Sequence, residues 1–199
     1  MNTRWQRHDS PRGEVYDSRW ECMAAAGQNI HGEADLVEAL LAGSGGRSVL
    51  DAGCGTGRVA IELARRGFAV VGVDADDAML GTARAKAPEL NWITADLSDL
   101  SRVDDRLPDA VDLVLLAGNV MIFTEPDTEG RVLSNLSARL APGGVLVAGF
   151  SIRADRLPLQ RYDDLAAAAG LVAVDRWATW ERTPFSGGDY AVSVHRAAR

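Results

Sequence analysis

Short apolar runs separated by helix-like stretches are the main pattern along this chain. The runs occupy residues 49–50, 68–73, 92–95, 111–116 and 145–150. Runs as continuous as 68–73 are typical of strands covered on both faces, because an exposed face would bring alternating polar residues. Strands that alternate with helices imply right-handed parallel crossovers. The pattern therefore predicts an α/β fold with a doubly wound, Rossmann-like sheet that is mostly parallel.

Helices are expected before this alternation and a hairpin after it. Helical patterns start near residue 14 and again at 33–41, ahead of the first apolar run. An alanine-rich helix near 164–169 leads to two further apolar stretches, 171–178 and 190–195, joined by turn residues. Such a pair predicts a closing antiparallel hairpin. The result is a seven-stranded sheet beneath an N-terminal helical cover.

Capping residues mark where the intervening helices begin and end. Asp76 is placed to cap a helix that runs to about Ala87, where Pro88 stops it. Thr124, Pro126 and the acids beside them predict the start of a helix that continues to residue 140. A proline and two glycines after residue 140 would then separate this helix from the fifth strand.

The chain is expected to form one domain. Its 199 residues can bury a full-sized core without splitting. Residues 1–13 are polar and arginine-rich, so we expect a mobile tail with little to bury. The domain at 14–199 would comprise the helical cover (14–46), a ligand-binding core (47–150) and the C-terminal helix and hairpin (151–199).

Composition and charge exclude several classes of function. The formal net charge of −7 provides no basic surface for nucleic acid. The longest uncharged run, residues 140–152, is shorter than the roughly 20 residues that a membrane-spanning helix needs. No apolar region follows the N-terminal arginines, which argues against a secretory signal. Only two cysteines occur, Cys22 and Cys54, so we expect neither a metal site nor disulfides, and a cytoplasmic location.

A glycine-rich turn at residues 48–57 is the first sign of a ligand. A short apolar strand runs into Asp51, and glycines follow at alternate positions, Gly53, Gly55 and Gly57, before the next helix. Glycines at a strand-to-helix turn let a ligand approach bare backbone, and the helix behind presents unpaired N–H groups. Tight packing alone would be the structural alternative.

Acidic residues follow the neighbouring strands. In a doubly wound sheet the ligand lies outside the carboxyl ends of the strands. Asp74 and Asp96 end the second and third predicted strands, and Asp74 stands about 20 residues beyond the glycine turn, where an acid binds ribose hydroxyls. Either residue could instead serve only to begin a helix, since aspartate favours such positions.

Four motifs follow one another along the chain: Val-Leu-Asp-Ala-Gly-Cys-Gly-Thr-Gly at 49–57, Gly-Val-Asp-Ala-Asp at 72–76 with Met79-Leu80, Thr-Ala-Asp-Leu at 94–97, and Leu-Ala-Pro-Gly-Gly-Val-Leu at 140–146. Together they resemble the class I S-adenosylmethionine-dependent methyltransferases. Their order and spacing match over about residues 45–150, and the closing helix and hairpin also look like that fold. The resemblance implies S-adenosylmethionine as cofactor and methyl transfer as activity.

The resemblance also implies a role for each matching residue. Asp51 and the backbone around the turn would hold the methionine moiety, Asp74 the ribose, Asp96 the exocyclic amine of adenine. The N-terminal helix would bring Tyr16 and Arg19 to the methionine carboxylate, whereas Trp20 is expected to pack that helix down. The full set of expected cofactor-binding residues is Tyr16, Arg19, Asp51, Ala52, Gly53, Cys54, Gly55, Asp74, Ala75, Met79, Asp96, Leu97, Ala117 and Gly118, with Cys54 also open to a structural role.

Two residues are candidates for catalysis. Methyl transfer is an in-line displacement, so it depends on holding the acceptor near the methyl carbon, and a protonated acceptor also needs a base. His31 lies between the two N-terminal helices and is the candidate base, because His8 falls in the tail and His195 in the last strand. Asn119 would either orient the acceptor or satisfy loop backbone.

The expected acceptor is a small molecule. Nucleic-acid amino-methylases of the family have two prolines after the fourth strand, and residues 118–123 here contain none. Met121 and Phe123, with Trp177 or Trp180, would shape the acceptor pocket. Two alternatives remain open. A nicotinamide-dependent oxidoreductase would want glycine where Arg58 stands, and a non-catalytic binding or interaction protein could retain the same fold.

Overall fold

The computed structural model describes residues 3–9 and 11–198. Seven strands form one sheet in the order β3-β2-β1-β4-β5-β7-β6. The strands are β1 Ser48–Ala52, β2 Ala69–Asp74, β3 Asn91–Thr94, β4 Val111–Leu116, β5 Leu140–Ser151, β6 Leu171–Trp177 and β7 Tyr190–Ala197. Strands β1 to β5 are parallel, whereas β7 pairs antiparallel with both β5 and β6. The predicted fold class and the closing hairpin are confirmed.

Helices cover both faces of the sheet. Their bounds are α1 Arg4–Arg7, α2 Gly13–Ala25, α3 Gly32–Leu41, α4 Arg58–Arg65, α5 Asp77–Lys86, α6 Val120–Phe123, α7 Glu129–Ser137 and α8 Leu159–Ala168, with a 3₁₀ helix at Ser101–Arg106. Two apolar clusters form, one on each side: Leu50, Val114 and Leu146 belong to the first, Val49 and Leu113 to the second. Because adjacent residues of a strand point to opposite faces, continuous apolar strands supply both cores.

One predicted helix boundary is wrong. The helix expected to begin at Thr124 begins at Glu129, and residues 120–123 form the separate short helix α6. Thr124 is extended, with φ −63° and ψ 165°, and Asp127 has φ +64°, a left-handed conformation that an α-helix does not allow. The segment is therefore a turn. The same helix ends at Ser137 and not at residue 140, because Leu140 already pairs with Val111 as part of β5.

The N-terminal segment also differs from expectation. Residues 1–13 were expected to have little to bury, yet Thr3 is buried and caps α1, accepting a hydrogen bond from the Gln6 N–H. The Trp5 indole N–H donates to the Asp76 carboxylate at 3.0 Å. The polar composition hid this because the segment is held largely by side-chain hydrogen bonds and ion pairs, such as those of Trp5 and Arg12 with Asp76, which leave no apolar pattern in the sequence. Within the described ranges, no helix combines the length and apolarity required to cross a bilayer.

Candidate functional site

A cavity of about 120 Å³ lies at the carboxyl ends of β1 to β4, under the N-terminal helices. This is the edge at which a doubly wound sheet binds its ligands. Most of the predicted cofactor-binding residues line it: Tyr16, Asp51, Gly53, Cys54, Gly55, Asp74, Ala75, Met79, Asp96, Leu97, Ala117 and Gly118.

The glycine turn supplies the cavity with backbone in place of side chains. The N–H groups of Gly53 and Cys54 both donate to the Val73 carbonyl, at 2.7 and 3.0 Å, which ties the turn to β2. Gly53 has φ +82°, and a Cβ atom there would lie 2.4 Å from a methyl carbon of Val120. The turn can therefore bend this sharply, beneath α6, only with glycine at this position.

Asp51 is the least satisfied polar group of the site. It is 1% exposed, and neither carboxylate oxygen has a hydrogen-bond partner in the part of the chain that the structure describes. Burial raises the pKa of Asp51 to about 7, an effect that the Arg58 guanidinium partly offsets. A buried carboxylate without a partner is costly, so its place at the cavity wall fits an incoming cation.

Asp74, the last residue of β2, is held in place by backbone. One oxygen accepts from the Gly55 N–H and the other from the Asp76 N–H, both at 2.8 Å. Burial raises the pKa of Asp74, and these two hydrogen bonds oppose the rise. A carboxylate oxygen can accept more than one hydrogen bond, so both oxygens retain capacity for hydroxyl groups of a ligand.

The two carboxylate oxygens of Asp96 differ, because one accepts hydrogen bonds and the other does not. Its Oδ1 accepts from both the backbone and the hydroxyl of Ser98, each at 2.8 Å. Its Oδ2 is buried and has no partner among the described residues. Leu97 and Met79 lie beside it in the cavity wall and are 7% and 2% exposed. This end of the cavity thus offers one acceptor within an apolar slot, which suits a flat base with an amino group.

Aromatic side chains cover the cavity from the N-terminal side. The ring of Trp5 meets Tyr16 edge-on at a centroid distance of 6.1 Å and Phe123 at 5.5 Å. All three line the cavity, and Trp20 lines it as well. Helix α2 is anchored to the glycine turn, because the buried Thr56 hydroxyl donates to Asp17 at 2.6 Å.

Arg58 stands where a nicotinamide-dependent oxidoreductase would have the third glycine of its fingerprint. Its side chain binds the N-terminal helical cover. Its guanidinium pairs with Glu33 at 2.5 Å and also donates to the Ile30 carbonyl. It stacks on the Trp20 ring with 3.8 Å between Cζ and the ring centroid. Arg58 also lines the cavity. An arginine at this position therefore joins α4 to the segment that covers the site.

Four predicted site residues lie outside the cavity lining. Ala52 is fully buried within β1, and the Arg19 guanidinium lies over the rings of Tyr16 and Trp20 instead of entering the cavity. His31 precedes α3 and is not part of the lining. The Asn119 side-chain oxygen accepts from the Ser151 N–H at 2.7 Å, which is the loop-satisfying role.

Only one of the residues expected to shape the acceptor pocket lines this cavity. Phe123 lines the cavity, whereas Met121 is 1% exposed and belongs to the core beneath. Trp177 and Trp180 lie against the second apolar cluster, where Trp180 donates to the Tyr190 hydroxyl. The hairpin tryptophans are therefore not part of this cavity.

Sequence reasoning missed several lining residues: Thr3, Trp5, Thr56, Arg58, Val59, Val120 and Thr124. Thr56, Arg58 and Val59 directly follow the glycines, so their position was a usable signal. Trp5 had none, because it lies in a polar segment some 70 residues from its partner Asp76 in sequence. In the described part of the chain, no cluster of three His, Cys, Asp or Glu side chains could hold a metal ion.

Comparisons with known proteins agree with this geometry. A family model described as a methyltransferase domain matches residues 49–144. A solved TehB-like S-adenosylmethionine-dependent methyltransferase from Corynebacterium glutamicum is 33% identical. The match covers 94% of this chain and 97% of that chain, with a TM-score of 0.80. This chain therefore belongs to the class I S-adenosylmethionine-dependent methyltransferases, whose methyl donor is S-adenosylmethionine.

Curated relatives match over shorter spans. Trans-aconitate 2-methyltransferase from Delftia acidovorans is 31% identical over 175 residues, covering 69% of this chain and 63% of that protein. Mouse glycine N-methyltransferase is 37% identical over 128 residues, covering 54% of this chain and 41% of that protein. This chain thus spans about two fifths to three fifths of the length of these relatives.

Proposed function

We propose that this chain transfers the methyl group of S-adenosylmethionine to a small-molecule acceptor. The observation that carries the proposal is the set of unpaired oxygens in one cavity, on Asp51 and on Asp96. The donor carries an ammonium group at its methionine end and an exocyclic amine on its adenine, and each would satisfy one of these carboxylates. The family's shared cofactor supports the same fit.

The methionine end would lie over the glycine turn. Asp51 would pair with the ammonium group, and the backbone from Gly53 to Gly55 would approach the main chain of the methionine moiety. A hydrogen bond to a charged group contributes on the order of 1.5–3 kcal/mol. The unpaired state of Asp51 means that this gain would not be offset by the loss of an existing partner.

The adenosine end would extend toward β3. Asp74 would accept hydrogen bonds from the two ribose hydroxyls. The N–H groups of Gly55 and Asp76, which donate to its carboxylate, would hold that carboxylate in orientation. Ala75 and Met79 would cover one face of the adenine, and Asp96 would accept from its amine. Leu97 would pack beside the ring.

The acceptor would enter beside Ala117 and Gly118, where the sulfonium would lie. Tyr16, Trp5 and Phe123 form an aromatic part of the cavity wall, so an acceptor with apolar or ring surface fits it. S-adenosylmethionine supplies an activated methyl group when bound, and these side chains would hold the acceptor in line and exclude water. His31 and Asn119 lie outside the cavity lining. In our proposal catalysis therefore depends on how the acceptor is positioned and involves neither of these residues.

The small-molecule class is supported by relatives and by charge. The curated relatives are named for trans-aconitate and glycine, which are small metabolites. The net charge of −7 disfavours a nucleic-acid acceptor. A cytoplasmic location stays a prediction, based on two cysteines that are both free in the structure.

Calorimetry would test the cofactor first. We expect S-adenosylmethionine and its demethylated product S-adenosylhomocysteine to bind, and NAD and NADP not to bind. Incubation with methyl-labelled donor and a metabolite extract should then transfer label to a small molecule. Binding without any labelled product across broad extracts would favour a non-catalytic cofactor-binding protein, and the opposite ligand preference would overturn the proposal.

A further inference from the structure

Two segments line the cavity but have no part in holding the cofactor under the proposed function: residues 3–16 and 123–124. Their lining residues are Thr3, Trp5, Tyr16, Phe123 and Thr124, which we call the acceptor wall. None of the five is charged, and three are aromatic. The Trp5 ring meets those of Tyr16 and Phe123 edge-on, with interplanar angles of 90° and 84°. The acceptor wall therefore presents aromatic surface in two orientations.

The two threonine hydroxyls of the acceptor wall are already used inside the protein. The Thr3 hydroxyl accepts from the Gln6 N–H, and the Thr124 hydroxyl donates to the Met121 carbonyl, both at 3.2 Å. An acceptor would therefore gain more from the rings of this wall than from its hydroxyl groups.

Trp5 is held in place from two sides of the cavity. Its indole N–H donates to Asp76 at 3.0 Å, just beyond the end of β2, and its ring meets that of Phe123 in α6, which follows β4. Strands β2 and β4 flank β1 in the sheet, so Trp5 lies across the carboxyl end of β1. A ring that is fixed before binding costs little further ordering, which favours a flat partner that can stack on it.

The cavity offers no partner to an anionic acceptor. Arg58 is the only basic side chain of the lining among the residues that the structure describes, and it is already paired with Glu33 at 2.5 Å. The other charged groups of the lining are the carboxylates of Asp51, Asp74 and Asp96. An acceptor carboxylate would lose water here without gaining a cation, which is costly.

A cationic acceptor is disfavoured at the rings themselves. The Arg12 guanidinium lies over the Trp5 ring, with 4.5 Å between Cζ and the ring centroid, and that of Arg19 lies 5.5 Å from the centroid of Tyr16. A second cation stacked on either ring would be close to one that is already there.

We infer that the acceptor is an uncharged compound with a flat ring, and that Trp5 is the residue that selects it. The inference rests on the proposed function and deepens it, because it gives the acceptor a charge and a shape. Trp5 acts through its ring, and Asp76 acts as a positioning residue by fixing the indole.

Four probes of one size separate charge from shape. They are 2-naphthol, which is flat and uncharged, 2-naphthoate, 2-naphthylmethylammonium, and decahydro-2-naphthol, which is uncharged but not flat. Each is titrated by calorimetry into the protein saturated with S-adenosylhomocysteine. We expect 2-naphthol to bind at least about ten-fold more tightly than either charged probe, because burial of an unpaired charge is costly. It should bind about two- to ten-fold more tightly than decahydro-2-naphthol, through stacking.

Trp5→Leu should abolish the preference for 2-naphthol over decahydro-2-naphthol, because the ring that stacks is lost. Trp180→Leu is the matched control, since Trp180 lies outside the cavity lining, and it should retain the preference. If Trp5→Leu does not fold, Phe123→Leu removes a ring from the same wall and should reduce the preference in the same way. A general loss of packing would weaken both uncharged probes equally and leave their ratio unchanged.

Three results would overturn the inference. A charged probe that binds as tightly as 2-naphthol would contradict the uncharged acceptor, and an unchanged preference in folded Trp5→Leu would remove Trp5 as the selecting residue. Absence of binding by all four probes would show that the wall does not take flat rings. Failure of the wild-type protein to bind S-adenosylhomocysteine would instead overturn the proposed function, so the two failures are distinguishable.

Discussion

Three aspartates at neighbouring strand ends differ in how far the protein already satisfies them. Both oxygens of Asp74 accept backbone N–H groups, one oxygen of Asp96 accepts from Ser98, and neither oxygen of Asp51 has a partner among the described residues. The difference suits three different ligand groups. A fixed carboxylate can meet two hydroxyls at set positions, whereas an unsatisfied one gains most from a cation.

The ribose assignment leads to a prediction at this scale. Asp74→Ala should weaken S-adenosylhomocysteine binding by about ten- to 150-fold in calorimetry, because hydrogen bonds to a charged group are lost. Asp77→Ala is the matched control, since exposed Asp77 pairs with Arg84 away from the cavity. Unchanged affinity in a folded Asp74→Ala variant would show the ribose assignment to be wrong.

Residues such as Asp51, Asp74 and Asp96 could be predicted because each follows an apolar strand at a recognisable spacing. The split between Trp20, in the cavity wall, and Arg19, stacked outside it, could not be predicted. Both lie on one helix, one residue apart, and only the way the helix rests on the glycine turn decides which of them lines the cavity.

At the scale of elements, the N-terminal cover is attached to the sheet through Asp76. This residue caps α5 with one oxygen, which accepts from the N–H groups of Ala78 and Met79. Its other oxygen accepts from the Trp5 indole at 3.0 Å and from Arg12 at 2.6 Å. The role of Asp76 as a helix cap was predictable from sequence. Its contacts with Trp5 and Arg12 were not, because the segment that contains these two residues shows no periodic pattern of apolar residues.

Loss of Arg12 should loosen α1 without unfolding the domain. Arg12 donates to Asp76 and to the carbonyls of Trp5 and His8, so it holds the turn between α1 and α2. In Arg12→Ala, amide hydrogen exchange should become faster in residues 3–9, whereas exchange in β1 and β4 should not change.

Arg7→Ala provides the comparison, because its ion pair with Glu125 is more exposed and should contribute less. Equal protection of residues 3–9 in the wild type and Arg12→Ala would mean that Arg12 does not hold the cover.

At the scale of the whole molecule, the unpaired carboxylate links ligand binding to stability. Burial raises the pKa of Asp51 from an ordinary 3.8 to about 7. As the pH rises, the unfolded chain therefore ionises first, and the folded state loses stability between about pH 4 and pH 7. The protein retains a group that is unfavourable for the ligand-free fold and favourable for a cationic ligand.

Asp51→Asn should accordingly stabilise the ligand-free protein. The gain over the wild type should grow from about pH 4, level off above about pH 7 and reach at most about 4 kcal/mol in the free energy of unfolding. Urea unfolding at pH 4.5, 6 and 8 would measure it, with Glu89→Gln, at an exposed position, as the matched control. A gain that is the same at every pH would contradict the raised pKa. Affinity for S-adenosylmethionine should fall in the same variant.

The sequence by itself determined the sheet and most of the residues that line the cavity, because apolar runs and glycine spacing are local properties of the chain. Tertiary structure alone decided how the cover sits: that Trp5 reaches Asp76, that Trp20 lines the cavity and that Asn119 serves the loop. Contacts between distant segments depend on how helices pack over a strand edge, and neither periodicity nor charge encodes that geometry. The cofactor could thus be predicted from the chain, whereas the contribution of the N-terminal segment to the cavity wall required the fold.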